Sequence, residues 1–411
     1  MDKKTVVLEM MEKYDSFYLY DEREMLSSVN RLKLDFQGVE FLYSMKANPA
    51  PAILKTVFSS GFGADAASLA EVLLAHKLGV PKEKIQYSAP GKRVEDIAQA
   101  MKHSTLIADS VEEVWKIQEE AKRQEKFVEI GIRINPNFTF SGDGGVPSKF
   151  GIDEALVFQW IPRWRGFSNI KIVGIHVHSR SQELNAAVLG EYYEKVLLLA
   201  ASVQRAIGDK LRFINMGSGF GIPYGEEELP LDTEYLGKRT AEIIRKFKEE
   251  LLDARIIIET GRYVVGKSGW YVTKVLDRKE SMGRTYIVLN NTLNGFLRPS
   301  LSLLVMSYAA DTPKGGGEPL FTRENAVQFI VLNEEINIEE VTLVGNLCTG
   351  VDVVAQDILL PKLREGDAIA ITNAGSYGAV LSPMQFSSQT PPEELFLSKN
   401  GVVTRAKDAF E

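Results

Sequence analysis

The chain has 411 residues, of which 45% are hydrophobic and 25% charged, with a net charge of -7. That length is enough for two or more domains with a large core, and the composition is that of an ordinary globular protein. The acidic balance and the absence of a basic cluster argue against nucleic acid as a partner. No apolar run is long enough to span a bilayer and Met1 to Tyr14 lack the pattern of a signal peptide, so no membrane partner and a cytoplasmic location are expected. The single cysteine, Cys348, excludes an intrachain disulfide and a cysteine-based zinc site, and His176 with His178 is too little to predict a metal.

Residues 1–22 contain a charged helix-like stretch and one strand, Phe17–Asp21. From residue 41 to about 260 one pattern repeats eight times: a short apolar run ending in polar or glycine residues, then a charged amphipathic stretch. The runs are Phe41–Ser44, Gly63–Ala67, Ile85–Ser88, Thr105–Ala108, Val128–Ile134, Ile170–Val177, Leu211–Met216 and Ile256–Ile258. Helices are expected at Ser68–Gly79, Glu95–Lys102, Ser110–Gln124, Ala187–Ile207 and Asp232–Asp253. This alternation predicts an α/β protein with a (β/α)8 TIM barrel over residues 23–267, a doubly wound open sheet being the alternative. After Arg262 strand-like segments dominate: Gly269–Leu276, Thr285–Leu289, Ala326–Val331, Val341–Val344 and Ala368–Thr372. Turns separate them at Lys314–Gly317 and Arg364–Asp367. Residues 1–22 and 268–411 therefore read as a β-barrel or β-sandwich domain, with few helices.

Barrel enzymes place their chemistry at the carboxyl ends of the strands. Here those ends carry Lys46, Asp65 with Ser68, Ser88, Asp109, Arg133 with Asn135, His176 with Ser179, the Gly217-Ser218-Gly219-Phe220-Gly221 turn, and Glu259 with Gly261 and Arg262. Lys46 follows a run fit for a buried strand and precedes Asn48-Pro49, so its amine must be paired, neutralised or covalently used. A glycine turn offers backbone N–H groups to a phosphate. Lysine and turn together suggest a phosphorylated aldehyde cofactor, pyridoxal phosphate, bound through a lysine whose amine neighbouring cations make easier to neutralise. Such a cofactor needs an acid at its ring nitrogen, and Glu259 is the candidate; its alternative is a salt bridge to Arg262.

The stretches Tyr43–Asn48, Gly63–Ser68 with Glu71, His176–Ser179, Gly217–Gly221 and Glu259–Tyr263 resemble, in order, the motifs of the alanine-racemase-like pyridoxal phosphate decarboxylases, the family of the ornithine, arginine and diaminopimelate enzymes. Lys149-Phe150-Gly151, Cys348 with Asp352, and Gly375-Ser376-Tyr377-Gly378 extend the likeness through the second domain. The resemblance implies a homodimer with shared active sites. It implies that Lys46 carries the cofactor, His176 stacks on its ring and Glu259 pairs with the ring nitrogen. Asp65, Arg133, Ser179, Gly217, Ser218, Gly219, Gly261, Arg262 and Tyr377 complete the cofactor site. Cys348 of the partner subunit would return a proton to carbon after carbon dioxide leaves.

Departures from the family bear on the substrate. The acid that follows the cysteine in the ornithine and diaminopimelate enzymes is Thr349 here, which cannot bond an ammonium with charge assistance. Asn290-Asn291 stands where ornithine decarboxylases carry an aspartate, and His178 and Ser218 replace glycines without removing backbone donors. Arg298 in Leu297–Leu301 looks like the arginine that takes a distal carboxylate, with a surface arginine in a turn as the alternative; Thr349 and Asp352 complete the expected substrate contacts. Gly144–Pro147, Tyr271–Lys279 and Leu347–Thr349 are most similar to the butirosin-pathway branch, which acts on a glutamyl group tethered to a carrier protein. A secondary-metabolite (antibiotic-type) decarboxylase of a tethered or modified amino acid is therefore expected, its alternatives being meso-diaminopimelate decarboxylation, a racemase or epimerase, and a non-catalytic homologue. Arg163, Arg165 and Lys171 are the candidates for a basic patch facing an acidic carrier.

Overall fold

The structure, a computed structural model, describes residues 2–140, 142–225, 227–252, 254–308 and 327–408. After β1 (Ser16–Asp21) come β2 (Val39–Ser44), β3 (Gly63–Ala66), β4 (Ile85–Tyr87), β5 (Thr105–Ala108), β6 (Val128–Asn135), β7 (Ile170–His176), β8 (Phe213–Asn215) and β9 (Arg255–Thr260). Each of β2 to β8 pairs in parallel with the next, and β9 pairs with β2, so the sheet closes. All eight apolar runs become barrel strands and the open-sheet alternative is excluded.

The barrel interior is filled by Leu42, Ile107, Val173, Phe213 and Ile257. Phe213 supplies most of the bulk, and its neighbours make room: a Cβ on Gly131 would come 2.7 Å from the ring and one on Gly174 2.4 Å. A register shift between Ile172 and Gly174 turns Gly174 to that interior. Between barrel and outer helices lies a second apolar layer. The helices begin where side chains cap their free N–H groups, at Ser68, Ser110, Asn185 and Asp232, and the longest, Ala186–Ile207, stops at Gly208 with φ +72°.

The second sheet holds β1, β10 (Gly269–Ser281), β11 (Arg284–Leu289), β12 (Phe329–Val331), β13 (Ile338–Gly345), β14 (Val353–Pro361), β15 (Ala368–Ile371), β16 (Glu393–Leu397) and β17 (Val403–Arg405). Strand β1 lies between β10, antiparallel, and β16, parallel. Strands β14, β16 and β17 are absent from the sequence reading. Asp357, at φ +51°, interrupts the alternation of β14. A helix over Leu297–Tyr308 also runs against the expectation of few helices, because Pro299 sits in its first turn, where no N–H is needed. The Lys314–Gly317 turn and Ala326 lie outside the described residues. Among the described residues no helix is long and apolar enough to cross a membrane, and no group of three or more His, Cys, Asp or Glu is placed to hold a metal.

Candidate active site

Successive side chains of a strand face opposite ways, so two residues beyond the apolar filling the barrel lining continues on the same parity. That step replaces hydrocarbon with Ser44, Asp65, Asp109, Arg133, His176, Asn215 and Glu259, each at most 7% exposed. Strand β2 ends at Ser44, and Lys46 follows on one turn of 3-10 helix, Met45–Ala47. Its side chain is 47% exposed within this otherwise buried ring, so the amine faces a cavity. Asp65 Oδ2 lies 3.8 Å from Nζ, and the Asp65 carboxylate is fixed by Ser44 Oγ at 2.9 Å and Ser88 Oγ at 2.6 Å.

Burial pushes the Lys46 amine down, yet Asp65, then Tyr377 and Glu259, outweigh it and hold the amine above the ordinary lysine range. This corrects the expectation of a cation-flanked lysine: Arg133 opposes the carboxylates but acts more weakly. Glu71 completes a capping box, taking the Ala67 N–H at 2.6 Å while Ser68 Oγ takes its own N–H at 3.2 Å. Burial raises its carboxyl to about 7, with Asp65 adding to the shift and Ala67 and Lys46 opposing it.

Across the mouth, Glu259 accepts from Asn215 Nδ2 at 2.8 Å, and the same amide group donates to Gln86 Oε1 at 2.7 Å. Its partner is His176, with Nε2 at 3.2 Å, close enough for electrostatic attraction though not aligned as a hydrogen bond. The salt bridge to Arg262 does not form. Burial alone would raise the Glu259 carboxyl, but His176, then His178 and Lys46, hold it well below the ordinary carboxylate range. Asn215 and Gln86 are absent from the sequence reading; a polar residue at lining parity inside an apolar run was the available signal.

Above His176 the chain presents His178, partly exposed, whose Nδ1 accepts the Ser218 N–H at 3.1 Å. Burial pushes the His178 ring down to about 3, Glu259 opposing and Arg133 reinforcing, so the ring is neutral and free to accept. The expectation that His178 and Ser218 replace glycines without losing backbone donors is corrected for one donor, the Ser218 N–H, which the His178 ring takes. Gly217 has φ +69°, and a Cβ there would stand 2.4 Å from Val177 O; Gly219 has φ +135°. A Cβ on Gly261 would come 2.8 Å from the Ala47 Cβ, so the turn after β9 packs directly on the Lys46 turn. The Ser179 hydroxyl meets Tyr192 Oη of the outer helix at 3.2 Å, while Ser181 faces His178 at 3.4 Å. Arg133 lies 3.7 Å from Asp109 and stacks over Phe150 at 4.5 Å.

The second sheet closes one side of the mouth. Tyr377, at φ +52°, donates its N–H to Ala47 O at 2.8 Å, and Arg262 lies 5.0 Å from its ring centroid.

Residues 22–266 match the family described as pyridoxal-dependent decarboxylase, pyridoxal binding domain. The chain belongs to the pyridoxal-dependent decarboxylases. A Niallia circulans decarboxylase of this family, the L-glutamyl-[BtrI acyl-carrier protein] decarboxylase, is 32% identical over 401 residues, covering 94% of this chain and 89% of the relative. The Helicobacter pylori diaminopimelate decarboxylase is 31% identical over 414 residues, covering 98% and 96%. Its crystal structure with L-lysine superposes with a TM-score of 0.83 at 28% identity, covering 98% of this chain and 96% of that one.

Pyridoxal phosphate, the cofactor of these decarboxylases, fits the residues present. A lysine amine opens on a cavity ringed by buried polar groups, an ionised carboxylate lies opposite, and the glycine turn is too tight for side chains. The predicted residues beyond the barrel, Arg298, Asn291, Cys348 and Asp352, lie on a helix and on loops between strands of the second sheet. Arg298 is neither in a turn nor on the surface: it is 1% exposed, with NH1 3.1 Å from Tyr224 Oη and NH2 bonded to Asn373 O. Asn291 is buried and donates to Ser16 Oγ and Thr390 O, so it holds structure together. Cys348 is exposed on the loop between β13 and β14. Asp352 anchors that loop: Oδ1 accepts from Thr292 Oγ1 at 2.5 Å and Leu293 N at 3.1 Å, and Oδ2 from Leu347 N at 3.0 Å. Both Asp352 oxygens thus accept bonds from within the chain. Arg163, Arg165 and Lys171 lie around the start of β7, at the opposite end of the barrel from the mouth, and Lys171 pairs with Asp209.

Proposed function

We propose that this decarboxylase acts on an amino acid whose far end is blocked, such as a glutamyl group carried on a protein or another scaffold, in a secondary-metabolite pathway. The observation that carries this reading is the Cys348 loop. Between Gly345 and Asp352 the only acid is Asp352, and its oxygens are occupied by Thr292, Leu293 and Leu347. Thr349 offers only a hydroxyl, 3.5 Å from the Val351 N–H. A loop without a free carboxylate suits a substrate end without an ammonium, because an unpaired buried ammonium is costly. The relative in Niallia circulans supports the same choice by its named substrate.

In this reading Lys46 holds the cofactor covalently and Arg262, Tyr377 and the Gly217–Gly219 turn surround its phosphate. Glu259, ionised, keeps a proton at the ring nitrogen. His176, held 3.2 Å from Glu259, would lie against the cofactor ring, and His178, two residues on, would border it. When bound, the cofactor supplies an electron sink for the pair released as the bond from Cα to the carboxylate breaks. The Cys348 thiol then gives its proton to Cα, and solvent restores the thiol. An exposed thiol on the second sheet suits a head-to-tail homodimer in which Cys348 of the partner subunit reaches the mouth.

Loss of carbon dioxide, followed by mass spectrometry, tests the reading across free meso-diaminopimelate, ornithine, lysine and glutamate and a glutamyl carrier protein. Turnover of the tethered substrate alone is expected; efficient turnover of a free diamino acid overturns it. Diaminopimelate is the second reading, favoured by Arg298, a buried cation whose hydrogen-bond partners among the described residues, Tyr224 and Asn373, are neutral.

A further inference from the structure

Tyr224 lies just past the glycine turn and is 5% exposed. Its hydroxyl is the meeting point of two guanidinium groups: Arg262 NH1 donates to it, and Arg298 NH1 donates at 3.1 Å. Both cations also stand over its ring, at 5.5 Å and 5.4 Å from the centroid. Arg262 follows the last barrel strand and also lies over Tyr377, whereas Arg298 belongs to the helix Leu297–Tyr308 of the second domain. Arg298 Nε is buried without a hydrogen-bond partner, and among the described residues no carboxylate pairs with Arg298. A guanidinium so placed has donor capacity to spare for an anion, and its aim depends on the groups that hold it.

We infer that Tyr224 is a positioning residue that fixes Arg262 and Arg298 relative to each other, so that cofactor-phosphate binding and capture of an acidic substrate group are coupled through one phenol. This rests on the proposed roles of the two arginines. Removing the hydroxyl leaves each guanidinium without one of its acceptors and removes the one atom that both share. A hydrogen bond to a charged group sets the scale at about tenfold in affinity.

The experiment compares the wild-type chain, stripped of cofactor, with Tyr224→Phe and Arg298→Gln. Pyridoxal phosphate is titrated optically, and KM is measured at saturating cofactor on whichever member of the substrate panel is turned over. Tyr224→Phe is expected to weaken cofactor binding about tenfold and raise KM about tenfold, with kcat within about twofold. Arg298→Gln, a side chain that shares the Tyr224 hydroxyl with Arg262, is expected to weaken cofactor binding about threefold. Unchanged cofactor affinity in either variant overturns the coupling, as does an unchanged KM in Tyr224→Phe. Circular dichroism melting identifies a misfolded Tyr224→Phe, and Arg298→Gln then decides alone. The titration needs no turnover, so failure of the substrate assignment leaves this arm able to decide.

Discussion

Glu259 and Asp352 are both buried carboxylates at the end of a strand or loop, and they are used in opposite ways. Asp352 has each oxygen bonded by neutral donors, Leu347 of its own loop and Thr292 and Leu293 of the segment after β11, so its charge is spent on tying that loop to its neighbour. Glu259 has a neutral amide and a histidine, faces a lysine amine across a cavity, and keeps its charge through neighbours that are themselves reactive. A carboxylate saturated by backbone donors stabilises structure, whereas one balanced against titratable groups is available for chemistry.

Four changes would sharpen or break that contrast. Lys46→Ala is expected to lower turnover by on the order of 10³-fold or more and to abolish the borohydride-trapped cofactor adduct; retention of both would remove Lys46 from the chemistry. Cys348→Ala is expected to reduce kcat by about 10²-fold with unfolding free energy unchanged within about 0.5 kcal/mol, because its thiol is exposed; a large loss in urea stability would make it structural instead. Asp352→Ala should show the reverse weighting in the same assay: a stability loss of about 2–4 kcal/mol from three orphaned donors, with activity falling only as the loop loosens. The smallest effect concerns Glu71, whose carboxyl folding raises from 4.5 to about 7. The folded chain holds that proton more tightly, so its contribution to stability is present at low pH and lost as pH rises through this interval. Glu71→Gln keeps an acceptor for Ala67 and removes the charge. Without cofactor it should melt above wild type at pH 8 and level with it near pH 4.

The barrel was legible because its signal is redundant: eight short apolar runs alternating with charged amphipathic stretches leave few other topologies. The ring of polar strand ends followed from the same parity. Asn215 and Gln86 were hidden because a polar residue inside an apolar run reads as noise until the opposite wall supplies its partner. His176 and His178 share a face, but only the closed barrel shows which lies deeper. The second domain was read less completely, since bulges and positive φ at Asp357 blur alternation, and the burial of Arg298 comes from residues such as Tyr224 and Asn373, more than 70 positions away. Thr349 stood out in the sequence, but the commitment of Asp352 became visible only in its three bonds.

The place of β1 in the second sheet has a consequence for how the chain reaches this state. Its parallel partner, β16, begins at residue 393, so Phe17 must wait for Glu393 to be synthesised before that pairing can form. The barrel strands close on one another by residue 260 and can condense first, leaving an early strand with an unsatisfied edge. Contacts across such a span make the last step slow, and shortening the chain before β16 would leave the finished barrel beside a sheet open along β1.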